Sequence, residues 1–249
     1  MMLNATPLPS VSLITGAGRR IGRAIALVLA NAGHDIALHY RHSKAEAGIL
    51  VADIEAKGRR AIAVQADLAE AGDVARLIPE AARHLGPVTC LINNASEFAN
   101  DTIETMTPES WARHLDINLR APVLLAQALA ANLPADANGS VINIIDQRVL
   151  RLTPEFFSYT ISKAGLWTAT RTLAQALAPR VRVNAIGPGP VLASIHQSAA
   201  DFAAEQASTL LRRGSSPDEI AAAVQFILNA PALTGQMIAL DGGQHLIWR

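Results

Sequence analysis

Short apolar runs alternate along the chain with longer runs that are rich in alanine and leucine. The short runs are almost continuously apolar, which is typical of strands whose two faces are both covered by helices. Seven of these runs are predicted to be strands, at residues 11–15, 35–40, 61–65, 88–92, 140–145, 181–185 and 237–240. Because helical runs fall between the strands throughout, the pattern predicts a parallel, doubly wound sheet.

Two sequence signals mark the beginnings of helices. Ser43 with Glu46, and Ser216 with Glu219, have the spacing of a capping box, in which each side chain bonds the backbone of the other residue. No linker, internal repeat or low-complexity segment interrupts the pattern. We therefore expect residues 1–249 to form a single domain, an α/β fold of Rossmann type with about seven strands and with helices on both faces of the sheet.

Composition excludes several classes of protein. Half of the residues are hydrophobic, so a sizeable core can be buried, and 21 basic residues are balanced by 21 acidic ones. With no net charge, the chain gives no electrostatic reason to expect a nucleic acid or an anionic membrane as a partner. The single cysteine, Cys90, excludes an intrachain disulfide and a cysteine-rich metal site, and no metal is expected.

The chain also lacks the usual signals for membrane insertion and export. No apolar run reaches about 18 residues without a break, so no membrane span is expected. The first ten residues contain neither the basic region nor the apolar stretch of a signal peptide. We therefore expect a cytoplasmic protein.

A glycine-rich turn follows the first predicted strand and opens a helix. Its sequence is Thr15-Gly16-Ala17-Gly18-Arg19-Arg20-Ile21-Gly22. Glycines in such a turn allow the backbone to approach a pyrophosphate, which then lies at the helix N-terminus. A merely tight turn is the alternative, and the two arginines add positive charge beside the expected phosphates.

The end of the second predicted strand indicates which dinucleotide is bound. An NAD site usually has an acidic residue here to bind the ribose 2′-hydroxyl, but no acid precedes Glu46. Arg41 can instead pair with a 2′-phosphate, which favours NADP(H) over a merely solvated arginine. Asp67 and Leu68, after the third strand, are expected at the adenine, although Asp67 is equally suited to capping the next helix.

Tyr159 and Lys163 are four residues apart and therefore lie on one face of a helix. We expect the lysine ammonium to favour the phenolate and so to lower the tyrosine pKa from its usual value near ~10. A tyrosine of this kind is a candidate proton donor at neutral pH.

Together these residues resemble the short-chain dehydrogenase/reductase family, along nearly the whole chain. The family's motifs occur in the family's order: the glycine turn, Asn93-Asn94-Ala95, Asn118, Tyr159 with Lys163, Asn184, Pro188-Gly189 and Asp241-Gly242-Gly243. The resemblance implies that the cofactor is bound by Gly16, Gly18, Arg19, Arg20, Ile21, Tyr40, Arg41, Asp67, Leu68, Asn94, Ala95, Ser96, Tyr159, Lys163, Pro188 and Gly189.

Three positions depart from the usual family pattern. Arg20 and Ser96 stand where the family usually has glycine. Asp146 stands where it usually has the catalytic serine, thirteen positions before the tyrosine. All three replacements resemble the pteridine reductases and the related dihydromonapterin reductases.

Two further features resemble pteridine reductases, namely His39-Tyr40 and Phe98. Glu97 and Phe156 differ from the members of that subgroup, and because they border the substrate they leave its identity open.

The subgroup resemblance implies NADPH-dependent reduction of a dihydropterin or dihydrofolate, with hydride added to carbon and a proton to the adjacent nitrogen of a C=N bond. Asp146 and Tyr159 would form a relay that delivers this proton, and Lys163 would bind the nicotinamide ribose. Asn118 would anchor a water that connects Lys163 to solvent.

The resemblance also implies a substrate site. Phe98 would stack on one face of the pterin, while Arg20 and Ser96 would bond its polar edge. The residues expected to contact substrate are Arg20, Ser96, Phe98, Asp146, Phe156 and Tyr159.

Other interpretations stay open at this point. A carbonyl reductase of a 3-oxoacyl thioester or a keto sugar is disfavoured by Asp146, because a carboxylate donates no hydrogen bond to a carbonyl unless it is protonated. A non-catalytic NADP(H)-binding sensor would not need an intact pair of Tyr159 and Lys163. Asp146 is alternatively a structural cap of the loop after the fifth strand, and Phe98 alternatively a core residue.

Three expectations concern the periphery of the molecule. Residues 191–213 are predicted to form the substrate lid. The predicted helices at 108–133 and 159–177 carry more apolar residues than one sheet-facing stripe requires, and the family pairs subunits through such helices, so we expect a homotetramer. Residues 246–249 are more apolar than is usual for a free C-terminal tail, and we expect them to dock at a neighbouring active site.

Overall fold

The computed structural model describes residues 10–193 and 197–248. Its strands form one parallel sheet in the order β3-β2-β1-β4-β5-β6-β7. The strands are β1 Val11–Ile14, β2 Asp35–Tyr40, β3 Ala61–Gln65, β4 Val88–Asn93, β5 Gly139–Ile144, β6 Val181–Pro188 and β7 Met237–Leu240. All seven predicted strands and the parallel arrangement are confirmed, and β6 continues beyond its predicted end at residue 185.

Helices cover both faces of the sheet. They are α1 Arg20–Asn31, α2 Lys44–Glu55, α3 Ala71–Leu85, α4 Pro108–Leu115, α5 Ala121–Asn132, α6 Phe157–Leu177, α7 Ala199–Ser208 and α8 Pro217–Leu228. On one face α1 and α8 bury Ile25 and Ile220 against the strands. On the other face α3 and α5 bury Leu77 and Leu125. No helix of the described part of the chain is long and apolar enough to cross a membrane.

Some expectations fall on chain ends. The expectation that residues 1–10 are no signal peptide falls mostly on residues 1–9, which lie outside the described residues. Arg249 lies outside them as well. Within the described tail, the side chains of Leu246 and Trp248 are 59% and 80% exposed. The expected docking of this tail at a neighbouring active site stays a prediction.

The predicted helix at 108–133 is interrupted. α4 ends at Leu115, a π-helical turn covers Asp116–Arg120, and α5 follows directly. Such wide turns are rare and occur most often at functional sites. Here the turn contains Asn118, whose side chain is buried.

The two predicted capping boxes differ in outcome. Ser216 and Glu219 form theirs at the start of α8. The prediction for Ser43 and Glu46 was wrong, because both side chains face the glycine turn instead. Ser43 Oγ lies 2.6 Å from the position that a Cβ on Gly18 would occupy, and the Glu46 carboxylate is 3.4 Å from Arg19 Nε.

The strand order reverses between β1 and β4, and this reversal opens a crevice at their carboxyl ends, the usual ligand site of such sheets. Thr15 ties the two segments together, since its Oγ1 accepts hydrogen bonds from Asn94 N at 2.9 Å and Ala95 N at 3.0 Å. Asn94 Nδ2 donates in return to the carbonyl oxygens of Thr15 and Gly16.

Gly22, in the first turn of α1, leaves no space for a side chain. A Cβ there would lie 2.4 Å from the Gly16 carbonyl oxygen and 2.7 Å from Asn94 Nδ2. We predict that Gly22→Ala destabilises the fold by about 1–3 kcal/mol, the usual cost of overpacking. Denaturant-induced unfolding measures this change.

Gly48 provides the matched control, because it lies inside α2 and a Cβ there would meet nothing within 4 Å. Gly48→Ala should stabilise the protein by about 0.5–1 kcal/mol, since alanine loses less backbone entropy in a helix than glycine. Equal effects of the two substitutions would contradict the close packing at Gly22.

Candidate active site

A cavity of 610 Å³, here called the crevice cavity, opens beside the glycine turn. The expected cofactor residues that line it are Gly16, Arg19, Arg20, Ile21, Tyr40, Arg41, Asp67, Leu68, Asn94, Ala95 and Ser96. Gly18 packs against Ser43 on the turn itself. Pro188 ends β6, and Gly189 lines a different cavity described below.

His39 holds the glycine turn in place, a role that the sequence did not reveal. Its Nδ1 accepts a hydrogen bond from Gly16 N at 3.1 Å, and its Nε2 lies 3.1 Å from the Ala66 carbonyl oxygen, to which it donates. Burial lowers the pKa of His39 to about 4, so the imidazole is neutral at neutral pH. The available signal was a lone polar residue in the otherwise apolar second half of β2.

Arg41 lies at the rim of the crevice cavity with its side chain partly exposed. Its Nε donates to His42 Nε2 at 2.7 Å, and its Nη1 is 4.0 Å from the Asp67 carboxylate. Asp67 Oδ1 accepts from Ala69 N at 3.0 Å. Asp67 thus shapes the turn before α3 and lines the cavity wall. It does not cap the helix, whose N-cap is Glu70 without a side-chain cap bond, so that alternative was wrong.

Asp146 and Tyr159 are directly bonded. The Tyr159 hydroxyl donates to Asp146 Oδ2 at 2.8 Å, and Asp146 Oδ1 accepts from Arg148 N at 2.7 Å. Asp146 therefore caps the 3₁₀ turn at Gln147–Leu150 with one oxygen and contacts the tyrosine with the other. The structural interpretation of this carboxylate is confirmed, and the catalytic interpretation stays a prediction.

The protonation of this pair differs from the sequence expectation. Burial, together with the adjacent Asp146 carboxylate, raises the pKa of Tyr159 well above 10, whereas a lowered pKa was predicted. The prediction failed because it considered only Lys163, whose Nζ lies 5.7 Å from the tyrosine ring centroid and donates to the Ile144 carbonyl oxygen at 3.0 Å. Tyr159 consequently keeps its proton at neutral pH.

Burial also shifts the two partners of Tyr159. It raises the pKa of the Asp146 carboxyl above its ordinary value and lowers that of Lys163 to about 8. The site thus contains a carboxyl group that takes up a proton more readily than usual and a lysine that releases one more readily.

Asn118 uses its side chain for protein contacts. Its Oδ1 accepts from Glu97 N at 2.8 Å, and its Nδ2 donates to the Glu97 carbonyl oxygen at 2.9 Å and to Ser162 Oγ at 3.0 Å. These bonds hold the segment after β4 against α6. The expected role of Asn118 in anchoring a water between Lys163 and solvent stays a prediction.

A second cavity of 520 Å³, here called the aromatic cavity, lies beside Asp146. Phe98 and Phe156 line it and stack on each other, with ring centroids 4.6 Å apart and planes within 10°. Phe98 also meets the Tyr159 ring edge-on at 4.8 Å. Because its side chain is 41% exposed, Phe98 is no core residue, but Phe156 already covers one of its faces.

The expected substrate residues are divided between the two cavities. Phe98, Asp146 and Phe156 line the aromatic cavity, whereas Arg20 and Ser96 line the crevice cavity. The Arg20 guanidinium donates to the carbonyl oxygens of Leu192 and Ala193, both at 3.0 Å.

The predicted lid at 191–213 lies next to the aromatic cavity in its described part, while residues 194–196 lie outside the described residues. Val191 and Leu192 line this cavity before the gap, and Phe202 and Glu205 of α7 line it afterwards. A lid role for the segment stays a prediction.

A buried polar cluster positions the first turn of α6, directly before Tyr159. Asp101 accepts bonds from the backbone N of Ser158 at 2.9 Å and from its hydroxyl. Ser158 Oγ lies 2.7 Å from His114 Nδ1, and His114 Nε2 accepts from Ala99 N at 3.2 Å. The cluster resembles a hydrolase triad in residue types only, because Ser158 is fully buried. Its members are distant in sequence, and no motif marked them.

The chain matches known proteins along most of its length. The family model described as enoyl-(acyl carrier protein) reductase matches residues 16–245. A 3-oxoacyl-[acyl-carrier-protein] reductase from a Synechocystis species is 35% identical over 94% of this chain and 96% of its own length.

Solved structures match as well. FolM alternative dihydrofolate reductase 1 from Brucella suis, in complex with NADP, is 47% identical, with a TM-score of 0.94 and 96% of each chain covered. A short-chain dehydrogenase from Burkholderia cenocepacia, also with NADP, is 32% identical, with a TM-score of 0.90, and covers 95% of this chain and 98% of its own. With its glycine turn, its Tyr159–Lys163 pair and these matches, the chain belongs to the short-chain dehydrogenase/reductase family.

Proposed function

We propose that this chain is an NADPH-dependent reductase of a dihydropterin or dihydrofolate-type substrate. The observation that carries the proposal is the 2.8 Å bond between Tyr159 and Asp146, which stands in place of the family's serine at the edge of an aromatic-lined cavity. The similarity to FolM alternative dihydrofolate reductase 1 supports the same substrate class.

The crevice cavity fits a phosphorylated dinucleotide. Gly16 and Gly22 leave no room for side chains, so backbone N–H groups at the start of α1 are accessible to a pyrophosphate. Arg41, at the rim, would pair with a 2′-phosphate. Lys163, whose Nζ donates to the Ile144 carbonyl oxygen, would bond the nicotinamide ribose. When bound, NADPH supplies the hydride.

The residues of the chain supply the proton. Tyr159 holds a proton at neutral pH and donates it in a hydrogen bond to Asp146, so the two can pass a proton toward a ring nitrogen in the aromatic cavity. Lys163 lies beneath the tyrosine ring, and with a pKa of about 8 it is mostly charged at pH 7. Its charge favours the phenolate that remains after the proton has left.

A 3-oxoacyl reductase is the second candidate, favoured by the 35% identity to the Synechocystis enzyme. In that chemistry a hydroxyl must donate to the substrate carbonyl, but Asp146 is an acceptor unless protonated. The Tyr159 hydroxyl is already bonded to Asp146. The pteridine-type assignment therefore agrees better with the site, and a non-catalytic sensor would not need this proton donor.

We also propose that the chain assembles into a homotetramer. Large apolar side chains of the described residues remain exposed on helices and at the C-terminus, among them Phe226 at 60%, Leu246 at 59% and Trp248 at 80%. Light scattering at micromolar concentration should give about four times the chain mass of 26.3 kDa. A stable monomer would contradict the assembly.

Arg41→Ala should weaken NADPH binding about tenfold or more, because a lost charge-assisted contact is worth ~1.5–3 kcal/mol. The Kd for NADH should barely change, since NADH lacks the 2′-phosphate. Fluorescence titration measures both constants, with Arg83→Ala on α3 as a matched control away from the cavities. Equal losses for the two cofactors would show that Arg41 does not bind the 2′-phosphate.

Asp146→Asn should lower kcat for dihydropterin reduction by about 10²–10⁴-fold, the usual contribution of a positioned acid-base group. The amide oxygen still accepts from Arg148 N, so the fold and the Kd for NADPH should be nearly unchanged. Tyr159→Phe should cost a similar factor and the double variant little more, because the residues act as one unit. NADPH oxidation is followed with dihydrobiopterin, dihydromonapterin and dihydrofolate.

Asp218→Asn, an exposed position on α8, serves as the control for this series. Wild-type turnover in Asp146→Asn would remove Asp146 from the mechanism. A wild type that reduces 3-oxoacyl thioesters or ketones but no pterin would replace the proposed function by the second candidate.

A further inference from the structure

One wall of the aromatic cavity carries two acidic residues. Asp201 and Glu205 line the cavity from α7, and because they are four residues apart they lie on one face of that helix. Glu205 is partly buried, whereas Asp201 is exposed to solvent. This acidic wall therefore reaches the opening of the cavity.

Uncharged groups hold the two carboxylates in place. Asp201 Oδ2 accepts a hydrogen bond from Ser198 Oγ at 2.6 Å, and Glu205 Oε2 accepts one from Gln197 Nε2 at 2.9 Å. Because both donors are neutral, these bonds orient the carboxylates without cancelling their charges.

The lining of the aromatic cavity is acidic as a whole. Arg148 is the one basic residue among the described residues that line it, and it interacts electrostatically with the Asp146 carboxylate. This interaction leaves the charges of Asp201 and Glu205 without a balancing cation in the lining. A cleft lined by one sign of charge repels ligands of the same sign.

The acidic wall faces a particular part of a bound substrate. A ring that reaches Asp146 lies in the same cavity as the stacked rings of Phe98 and Phe156. Its side chain must then extend toward the opening, where α7 forms the wall. The two carboxylates therefore meet the tail of the substrate and not the ring that is reduced.

We propose that Asp201 and Glu205 are specificity-determining residues that exclude substrates with an anionic tail. An ionised carboxylate accepts hydrogen bonds, so it can bond the hydroxyls of a neutral side chain, but it repels another carboxylate. The favoured substrate is a dihydropterin with a hydroxylated side chain, and dihydrofolate, whose tail carries two carboxylates, is disfavoured. This inference rests on the proposed function and narrows its substrate class.

The test compares dihydrofolate with its diamide, in which uncharged amides of nearly the same size replace both tail carboxylates. At saturating NADPH, the wild-type KM for dihydrofolate should be about three- to tenfold above that for the diamide, because like charges repel near the protein surface. Added NaCl should reduce this ratio, since salt screens exposed charges. The KM for uncharged dihydrobiopterin reports any general effect of salt.

The double variant Asp201→Asn with Glu205→Gln removes both charges and keeps the side-chain size. Its KM values for dihydrofolate and the diamide should be equal, while that for dihydrobiopterin should barely change, because an amide oxygen still accepts hydrogen bonds. Glu55→Gln with Asp218→Asn is the matched control. It removes the same net charge from exposed positions on α2 and α8 and should keep the wild-type ratio.

The outcomes separate this inference from the proposed function. Equal wild-type KM values for dihydrofolate and the diamide, or a difference that persists in the double variant, would overturn the exclusion. A lower KM for dihydrofolate would also overturn it, since Arg148 would then bind the tail. The wild-type comparison is decisive even where the double variant does not fold. All of these results leave pterin reduction standing, whereas a wild type without pterin turnover would overturn both proposals.

Discussion

The close approach of the segments after β1 and β4 is the constraint on which the rest of the site depends. A Cβ on Gly16 would lie 3.0 Å from Ala95 Cα, and Thr15 Oγ1 binds both Asn94 N and Ala95 N. This contact fixes the glycine turn and also the start of the segment that carries Ser96 and Phe98. The glycine turn and the segment that borders the two cavities are therefore parts of one packed unit.

From this unit a continuous series of contacts leads to Tyr159 and Asp146. Asn118 binds the backbone of Glu97 and the hydroxyl of Ser162 on α6. Further along, Asp101 binds Ser158, the residue before Tyr159. The tyrosine is thus positioned from two sides by buried hydrogen bonds, and Asp146 reaches it from the end of β5. The π-helical turn, which interrupts the α-helical geometry between α4 and α5, places the Asn118 side chain between Glu97 and α6.

The sequence predicted the sheet well, because the alternation of strands and helices is a local property. Burial of the strands on both faces gives continuous apolar runs that are easy to recognise. The Tyr159–Lys163 pair and Asp146 were also recognisable, since their spacing is fixed by a helix and by a family motif. The direction of the pKa shift of Tyr159 was not predicted correctly, because it depends on burial and on a carboxylate thirteen residues away. The contact of His39 with the glycine turn and the role of Asp101 were missed for a similar reason, because their partners are brought close only by the fold.

The neutral His39 has a consequence for the whole molecule. An unfolded chain takes up a proton at this histidine below about pH 6.5, but the folded chain does so only near pH 4. Between these values the unfolded state binds more protons, so acidification favours unfolding even though the imidazole in the folded state stays uncharged. Through this proton linkage, mild acid lowers the free energy of unfolding while His39 still holds the glycine turn in its neutral form.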